Sequence, residues 1–483
     1  MINPLSKKTF SAFLFLLFAQ FSHAQGYAIH LTLKPFKDAK VYLGYHYGKM
    51  KAVADSVILD ANSEGVFKGK DKLPGGIYFI VSPRKEILFE LLIDQEQQFS
   101  VSADTLRLPA SIAFTNSPEN TTFQNYTTFM GSHGKAISDL QSQYAKAKTK
   151  NDSTAIREKI VAINDQVKAE RENIEKTSPN SLLAVLLLAL KEPVIPPIPK
   201  LANGRPDSTF AYRYYKAHYW DYISWTDDRL IRTPILEPKL DHYYKDLVSP
   251  QPDSINQDVD HMLLFSRANK DMYKFLMVYF TQKYINPEYM GQDAVFIHLF
   301  EKYINAGQAD FFTEKYRKFV DDRAYSIMAN LIGQPAANLE MTDSSGTVRS
   351  LYEVPTNFVL VCFWDPTCSH CKETLPKLDS IYQAKWKYEG LQVYSVMVDG
   401  GQENWRNFIR DHNLGDWINV YQTKAQHDVE VAAGRPDYRQ LYDVYQTPVL
   451  YLLDKEKRIV AKKLTYQQVD EVINLKLKKV NTP

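Results

Sequence analysis

Three patterns of apolar and polar positions follow one another along the chain. From Tyr27 to about residue 104 the period is two. Tyr27-Ala-Ile-His-Leu-Thr-Leu and Val41-Tyr-Leu-Gly-Tyr-His-Tyr alternate, and shorter runs follow at 52–59, 66–68, 77–81, 87–93 and 99–103. Asp38, Asn62 to Gly65, Pro74-Gly75-Gly76 and Asp94 punctuate these runs as turn signals. Side chains alternate across a strand, so each run can bury one face. Several short strands at regular spacing predict a β-sandwich over residues 25–114.

From about 115 to 330 the spacing becomes helical. Residues 137–177 are rich in Ala, Lys, Glu and Gln, with apolar residues three and four apart, and 181–191 continues the pattern. Glu192-Pro-Val-Ile-Pro-Pro-Ile-Pro199 reads as a stiff, exposed connector. The Tyr- and Phe-rich stretches 210–225, 258–284 and 295–325 predict further helices, so 115–330 is expected to be all-α. Aromatic stripes at this spacing are ordinary helix core unless something else points to a groove.

Beyond 331 the two periods alternate. Strands are expected at 357–363, 392–398, 417–421, 449–453 and 458–462, and helices at 369–388, 402–412, 435–445 and 465–477. Alternation of this kind means a layered α/β fold with at least one parallel strand pair. The chain of 483 residues is thus read as multi-domain: N-terminal β-sandwich, central all-α region and C-terminal α/β domain over 331–483.

The first 24 residues stand apart. Lys7 and Lys8 precede an apolar run of about a dozen residues, Phe10 to Phe21, and Ser22-His23-Ala24 offers small residues at a cleavage site. The run is short of the roughly 20 residues that a spanning helix needs, so residues 1–24 are expected to be a cleaved signal peptide. Gln25 stands where a lipoprotein would need Cys, so no stable membrane insertion is expected after cleavage. The expected location is the periplasm of a Gram-negative bacterium. The whole chain carries 58 Lys and Arg against 56 Asp and Glu, and Lys7 and Lys8 are the only charged residues of the leader. The remainder is neutral, and nothing in its charge calls for a nucleic-acid partner.

Cysteine usage is sparse and local. Three cysteines in the whole chain, Cys362, Cys368 and Cys371, make no disulfide scaffold. Cys368-Ser-His-Cys371 falls between a predicted strand and a predicted helix. At a helix start, free backbone N–H groups and the helix dipole favour a thiolate, so Cys368 is the expected nucleophile. Cys371, about one turn further in, can attack a mixed disulfide on Cys368 and close a Cys368–Cys371 disulfide. A protonated His370 would stabilise the thiolate further. A zinc site would need two more ligands, and no second pair at suitable spacing accompanies this one, although His412 and His427 exist. No metal and no other cofactor is expected. Thr447-Pro448 opens a predicted strand, where proline has no N–H to donate.

With these residues in place, the segment 331–483 resembles the thioredoxin fold. More narrowly, it is similar to exported thiol–disulfide oxidoreductases related to those of cytochrome c maturation. Gly333-Gln-Pro-Ala336 resembles the family's domain start, Met341-Thr-Asp343-Ser-Ser-Gly346 its first hairpin, Phe363-Trp364 and Cys368-Ser-His-Cys371 its active-site strand and helix, and Pro376 its helix kink. The resemblance implies that Cys368 attacks, Cys371 resolves, and Thr447-Pro448 is a cis-proline that presents substrate, with Trp364 and His370 as supports. It implies protein thiols or disulfides as substrates and a membrane thiol carrier as electron donor or acceptor. Two positions depart from the family: Thr374 stands where cytochrome-linked reductases carry Glu, and Cys362 where thioredoxins carry a buried Asp. Val361 and Asp365 replace the Pro and Thr of peroxide-reducing relatives, which argues against a peroxidase. The alternative reading is a binding protein for exported polypeptides or glycans with an accessory redox domain. Asn120-Thr-Thr, Asn125-Tyr-Thr and Asn151-Asp-Ser fit glycosylation acceptors by pattern alone and are given no role.

Overall fold

The computed structural model describes residues 26–480, so the expected signal peptide lies outside the described residues. The chain forms two compact units, dividing between Tyr243 and Tyr244.

The first unit opens with eight strands: β1 (Ala28–Lys34), β2 (Lys40–Tyr47), β3 (Met50–Ile58), β4 (Glu64–Lys68), β5 (Gly76–Val81), β6 (Ile87–Ile93), β7 (Gln98–Asp104) and β8 (Ala113–Thr115). They build two four-stranded sheets, ordered β4-β1-β7-β8 and β3-β2-β5-β6. The alternation read from the sequence is the reason. Ile29, Leu31 and Leu33 of β1 share one core with Phe99 and Val101 of β7, Val41 and Leu43 of β2, and Phe89 and Leu91 of β6. All pairings but one are antiparallel; β1 and β7 run parallel. The N-terminal block is a β-sandwich.

Helices α1 (Pro118–Lys146) and α2 (Lys150–Thr177) follow. Tyr126 meets Arg171, His133 meets Gln166 and Tyr144 meets Arg157, a register that makes the pair an antiparallel hairpin. The single helix expected over 137–177 is corrected to two. The Thr149 hydroxyl accepts from the Asp152 N–H at 3.1 Å and caps a new helix start. Asn120 is buried, bonding both backbone groups of Leu92 on the outer strand β6 at 2.7 and 2.8 Å. Those bonds occupy an edge that would otherwise be open, and they place Asn120 out of reach of any glycosylating enzyme. The apolar α3 (Leu182–Ala189), α4 (Phe210–His218) and α5 (Leu236–His242) complete the unit. The proline-rich stretch 192–199 has no regular structure.

The second unit begins with α6 (Pro252–Ser266), α7 (Lys270–Ile285), α8 (Asp293–Leu299) and α9 (Glu314–Met328). The continuous helices expected at 258–284 and 295–325 are each broken by a cap. Asn269 accepts from the N–H groups of Asp271 and Met272, both at 3.0 Å, and Thr313 accepts from that of Tyr316.

The remainder holds β9 (Glu340–Asp343), β10 (Val348–Ser350), β11 (Phe358–Trp364), α10 (Ser369–Ile381), β12 (Leu391–Met397), α11 (Gln402–Asp411), β13 (Ile418–Tyr421), α12 (Lys424–Ala432), α13 (Tyr438–Leu441), β14 (Val449–Asp454), β15 (Ile459–Lys462) and α14 (Tyr466–Val480). The seven strands form one sheet in the order β10-β9-β13-β12-β11-β14-β15, with β11, β12 and β13 parallel and β14 antiparallel to β11. The central β11 is buried throughout and serves two cores. Leu360, Cys362 and Trp364 face Leu375, Leu378 and Ile473, whereas Val359, Val361 and Phe363 face Tyr394, Tyr442 and Tyr451. This is the thioredoxin-like α/β layer fold. The helix expected at 435–445 shrinks to the single turn of α13, and α12, absent from the sequence reading, precedes it. Its signal was Thr423-x-x-Gln426, which closes a reciprocal capping box. No helix among the described residues is long and apolar enough to cross a membrane.

Candidate active site

Strand register assembles the site. Phe363 of β11 pairs with Val449 of β14, which places Pro448 beside the end of β11, just ahead of the cysteine loop. The Thr447–Pro448 peptide bond is cis. The Thr447 carbonyl accepts a hydrogen bond from the Cys368 thiol, Sγ to O 3.5 Å. Residues that are 79 positions apart are thus in contact at the reactive loop.

Between β11 and α10 the chain turns tightly. The Asp365 carboxylate accepts from the backbone N–H and the hydroxyl of Thr367 at 2.6 and 2.7 Å, and the Cys368 N–H bonds the Asp365 carbonyl at 3.2 Å. Such Asx geometry is a local alternative to helix and stops α10 from starting early. Gly400 lies against this turn. A Cβ there would sit 2.4 Å from Asp365 Oδ1, and its φ of +89° is a conformation suited to glycine. Sequence reasoning missed both residues. The Gly400-Gly401 pair after a strand was the available signal.

Cys368 is the N-cap of α10 in extended conformation, and its carbonyl accepts from the Lys372 N–H at 3.1 Å. Partial burial pushes its thiol up. The N–H of Cys371, the contact with Thr447, the Cys371 side chain and the N–H of His370 outweigh that, and the thiol lies below its ordinary value. His370 and Cys371 are the N2 and N3 positions, whose N–H groups have no partner inside the helix. Cys371 is fully buried, and burial pushes its thiol up to about 12. Cys362 is buried in the same core layer, its thiol raised by burial and then by Cys371. All three cysteines are free thiols in the structure.

The remaining predicted residues divide. Trp364 is fully buried below the loop and donates from Nε1 to Ser395 Oγ at 2.6 Å, with its ring 5.0 Å from that of Phe408. The His370 ring is exposed and points away from this constellation's core; its backbone, not its imidazole, acts on Cys368. Thr374, at the position of the family's acid, is half-buried. Among the described residues no cluster of three or more His, Cys, Asp or Glu is arranged to hold a metal.

Comparisons with known proteins accord with this geometry. Residues 332–462 match the model of the AhpC/TSA family, and residues 145–324 match one described as Domain of unknown function (DUF5106). No curated protein matches the chain. Among solved structures, the chain is similar to a domain of a possible thiol-disulfide isomerase from Cytophaga hutchinsonii, at 37% identity over 32% of this chain and 97% of that one, with a TM-score of 0.28. It is similar to the thioredoxin domain of a thiol-disulfide oxidoreductase from Bacteroides vulgatus, at 29% identity over 29% of this chain and 97% of that one, TM-score 0.26. A thioredoxin-like protein from Bacteroides caccae matches at 23% identity over 59% of this chain and 99% of its own, TM-score 0.46.

Proposed function

Because the chain belongs, through residues 332–462, to the thioredoxin-like AhpC/TSA family, we propose that it is an exported thiol–disulfide oxidoreductase that exchanges disulfides with protein thiols through Cys368 and Cys371. The observation that carries this reading is the contrast between the two sulfurs. Cys368 is partly exposed, capped by helix N–H groups and easily ionised. Cys371 is buried and held protonated.

The reaction follows from that contrast. The Cys368 thiolate attacks one sulfur of a substrate disulfide. The substrate S–S bond breaks, a mixed disulfide with Cys368 forms, and the departing substrate thiolate takes up a proton. Cys371 then loses its proton and attacks the Cys368 sulfur. The second substrate thiol leaves, and the Cys368–Cys371 disulfide remains. Substrate gains two electrons and the cysteine pair loses two; an external dithiol must return them, for which a membrane thiol carrier is the proposed source. With the opposite partners the same steps run in reverse. A thiolate favoured at Cys368 stabilises the dithiol form and so makes the disulfide more oxidising. The Asp365 and Val361 positions favour exchange over peroxide reduction. Export rests on residues 1–24.

The test uses the mature protein and a disulfide-bonded protein substrate with dithiothreitol as reductant. Cys368→Ser is expected to abolish turnover. Cys371→Ser keeps the first attack and accumulates a mixed disulfide, seen as a mass increase that dithiothreitol reverses. Full turnover by Cys368→Ser would overturn the reading.

A further inference from the structure

We propose that helix α9 forms one wall of the substrate site, and that the substrate is an extended polypeptide with an aromatic or large aliphatic residue close to its reacting cysteine. This rests on the thiol–disulfide function above and names the substrate class for it.

A groove of about 600 Å³ starts at Pro448 and runs between the segment before it and α9, lined among others by Phe319, Arg323, Tyr445, Gln446 and Lys463. Its Pro448 end adjoins Thr447, whose carbonyl holds the Cys368 thiol. A chain whose cysteine is bonded to Cys368 therefore has its flanking residues at the mouth of this groove.

One face of α9 is fastened to the loop that leads to Pro448. Arg323 pairs with Asp443, Ser326 Oγ donates to the Gln440 carbonyl at 2.6 Å, and Asn330 Nδ2 donates to the Leu441 carbonyl at 3.1 Å. Phe319 lies one turn before Arg323 on the same face, where the helix continues past the fastened region and overlooks the groove. It has no such role in holding the loop; its side is left 46% exposed, and Tyr445 opposite is 73% exposed. The Arg323 guanidinium stands 5.6 Å from the Tyr445 ring centroid. Two exposed large aromatics lining one groove mark a binding surface better than scattered ones do.

Backbone strain lies at the same place. Asp443 and Lys463 have φ of +51° and +55°, are ion-paired to each other, and both line the groove. Non-glycine residues are held in this region only where their surroundings over-determine them, and such residues cluster at ligand clamps. A small disulfide could reach Cys368 without touching Phe319. Only a substrate that extends past Pro448 uses these walls, so the occupant is a polypeptide segment.

The experiment uses the full mature chain and two synthetic peptides, each carrying one cysteine as a mixed disulfide with glutathione. One has Phe and Leu around the cysteine, the other Gly and Ser. The wild type is expected to prefer the apolar peptide by about tenfold in kcat/KM, or about 1.4 kcal/mol. Phe319→Ala and, separately, Tyr445→Ala should collapse that ratio towards one through a raised KM, and Phe319→Tyr should restore most of it. An unchanged ratio in both alanine variants, or no preference in the wild type, overturns the inference while leaving the redox function intact. Absence of Cys368-dependent reaction with oxidised glutathione itself would instead overturn the function, and the inference with it.

Discussion

Cys368 and Cys371 are two residues of one type, three positions apart, in opposite environments. Burial raises both thiols, but at Cys368 the amides of the first helical turn overcome it, and at Cys371 they do not. A depressed value means that the thiolate is already present at pH below that of an ordinary cysteine, about 8.5. Iodoacetamide should therefore label Cys368 alone in the native dithiol protein. Its rate should rise with pH and level off at a midpoint below that of free cysteine. Cys371, at about 12, and the buried Cys362 should react only after denaturation. Peptide mapping of the labelled protein reads this directly; equal labelling of Cys368 and Cys371 in the native protein at pH 7 would contradict it.

At the scale of elements, the loop between β11 and α10 depends on Gly400. Substituting Ala adds a Cβ into Asp365 Oδ1 and forces a side chain to φ +89°. Gly401 is the natural control: its φ is +83° with ψ 150°, yet a Cβ there meets nothing within 4 Å. Gly401→Ala should cost about 1–3 kcal/mol from backbone strain alone. Gly400→Ala carries a similar backbone penalty and should in addition displace the Asp365 turn and slow Cys368 alkylation severalfold, which Gly401→Ala should not. Parallel urea titrations and labelling rates separate the two effects. The same scale shows what the sequence made legible. Period-two runs gave the sandwich strands, because each strand has one face towards the shared core, and the strand–helix alternation gave the seven-stranded sheet. Helix ends were less visible. At Thr149, Asn269 and Thr313 a single polar cap interrupts an apolar period that continues on both sides, so periodicity alone joined what capping divides. In the site, the cysteines and Thr447-Pro448 were visible as motifs. Asp365 and Gly400 were not, because their importance lies in a contact between loops that are distant in sequence.

At the scale of the second unit, the sheet and the helices before it share buried charge. Asp443 is 4% exposed and pairs with Arg323, itself 9% exposed; Lys463 joins the pair from a half-exposed position. Arg323 also donates to Asn286 Oδ1 at 3.2 Å, at the end of α7. Replacing Asp443 with Asn leaves a buried guanidinium without its counter-charge, and breaking such a pair costs about 3–5 kcal/mol. Lys463 adds little to that figure because solvent screens it. Burial by itself would raise the Asp443 carboxyl, but Arg323 and Lys463 hold it below the usual carboxylate range. A group depressed in the folded state stabilises the fold above its unfolded value, about 3.9, and that contribution is lost as pH falls through the folded value. Urea unfolding of the full chain should therefore show Asp443→Asn well below wild type at pH 7, with the gap closing only as the pH drops below about 3.9. A gap that stays constant across that range would mean that Asp443 acts through packing, and that charge does not fasten α9 beside the groove.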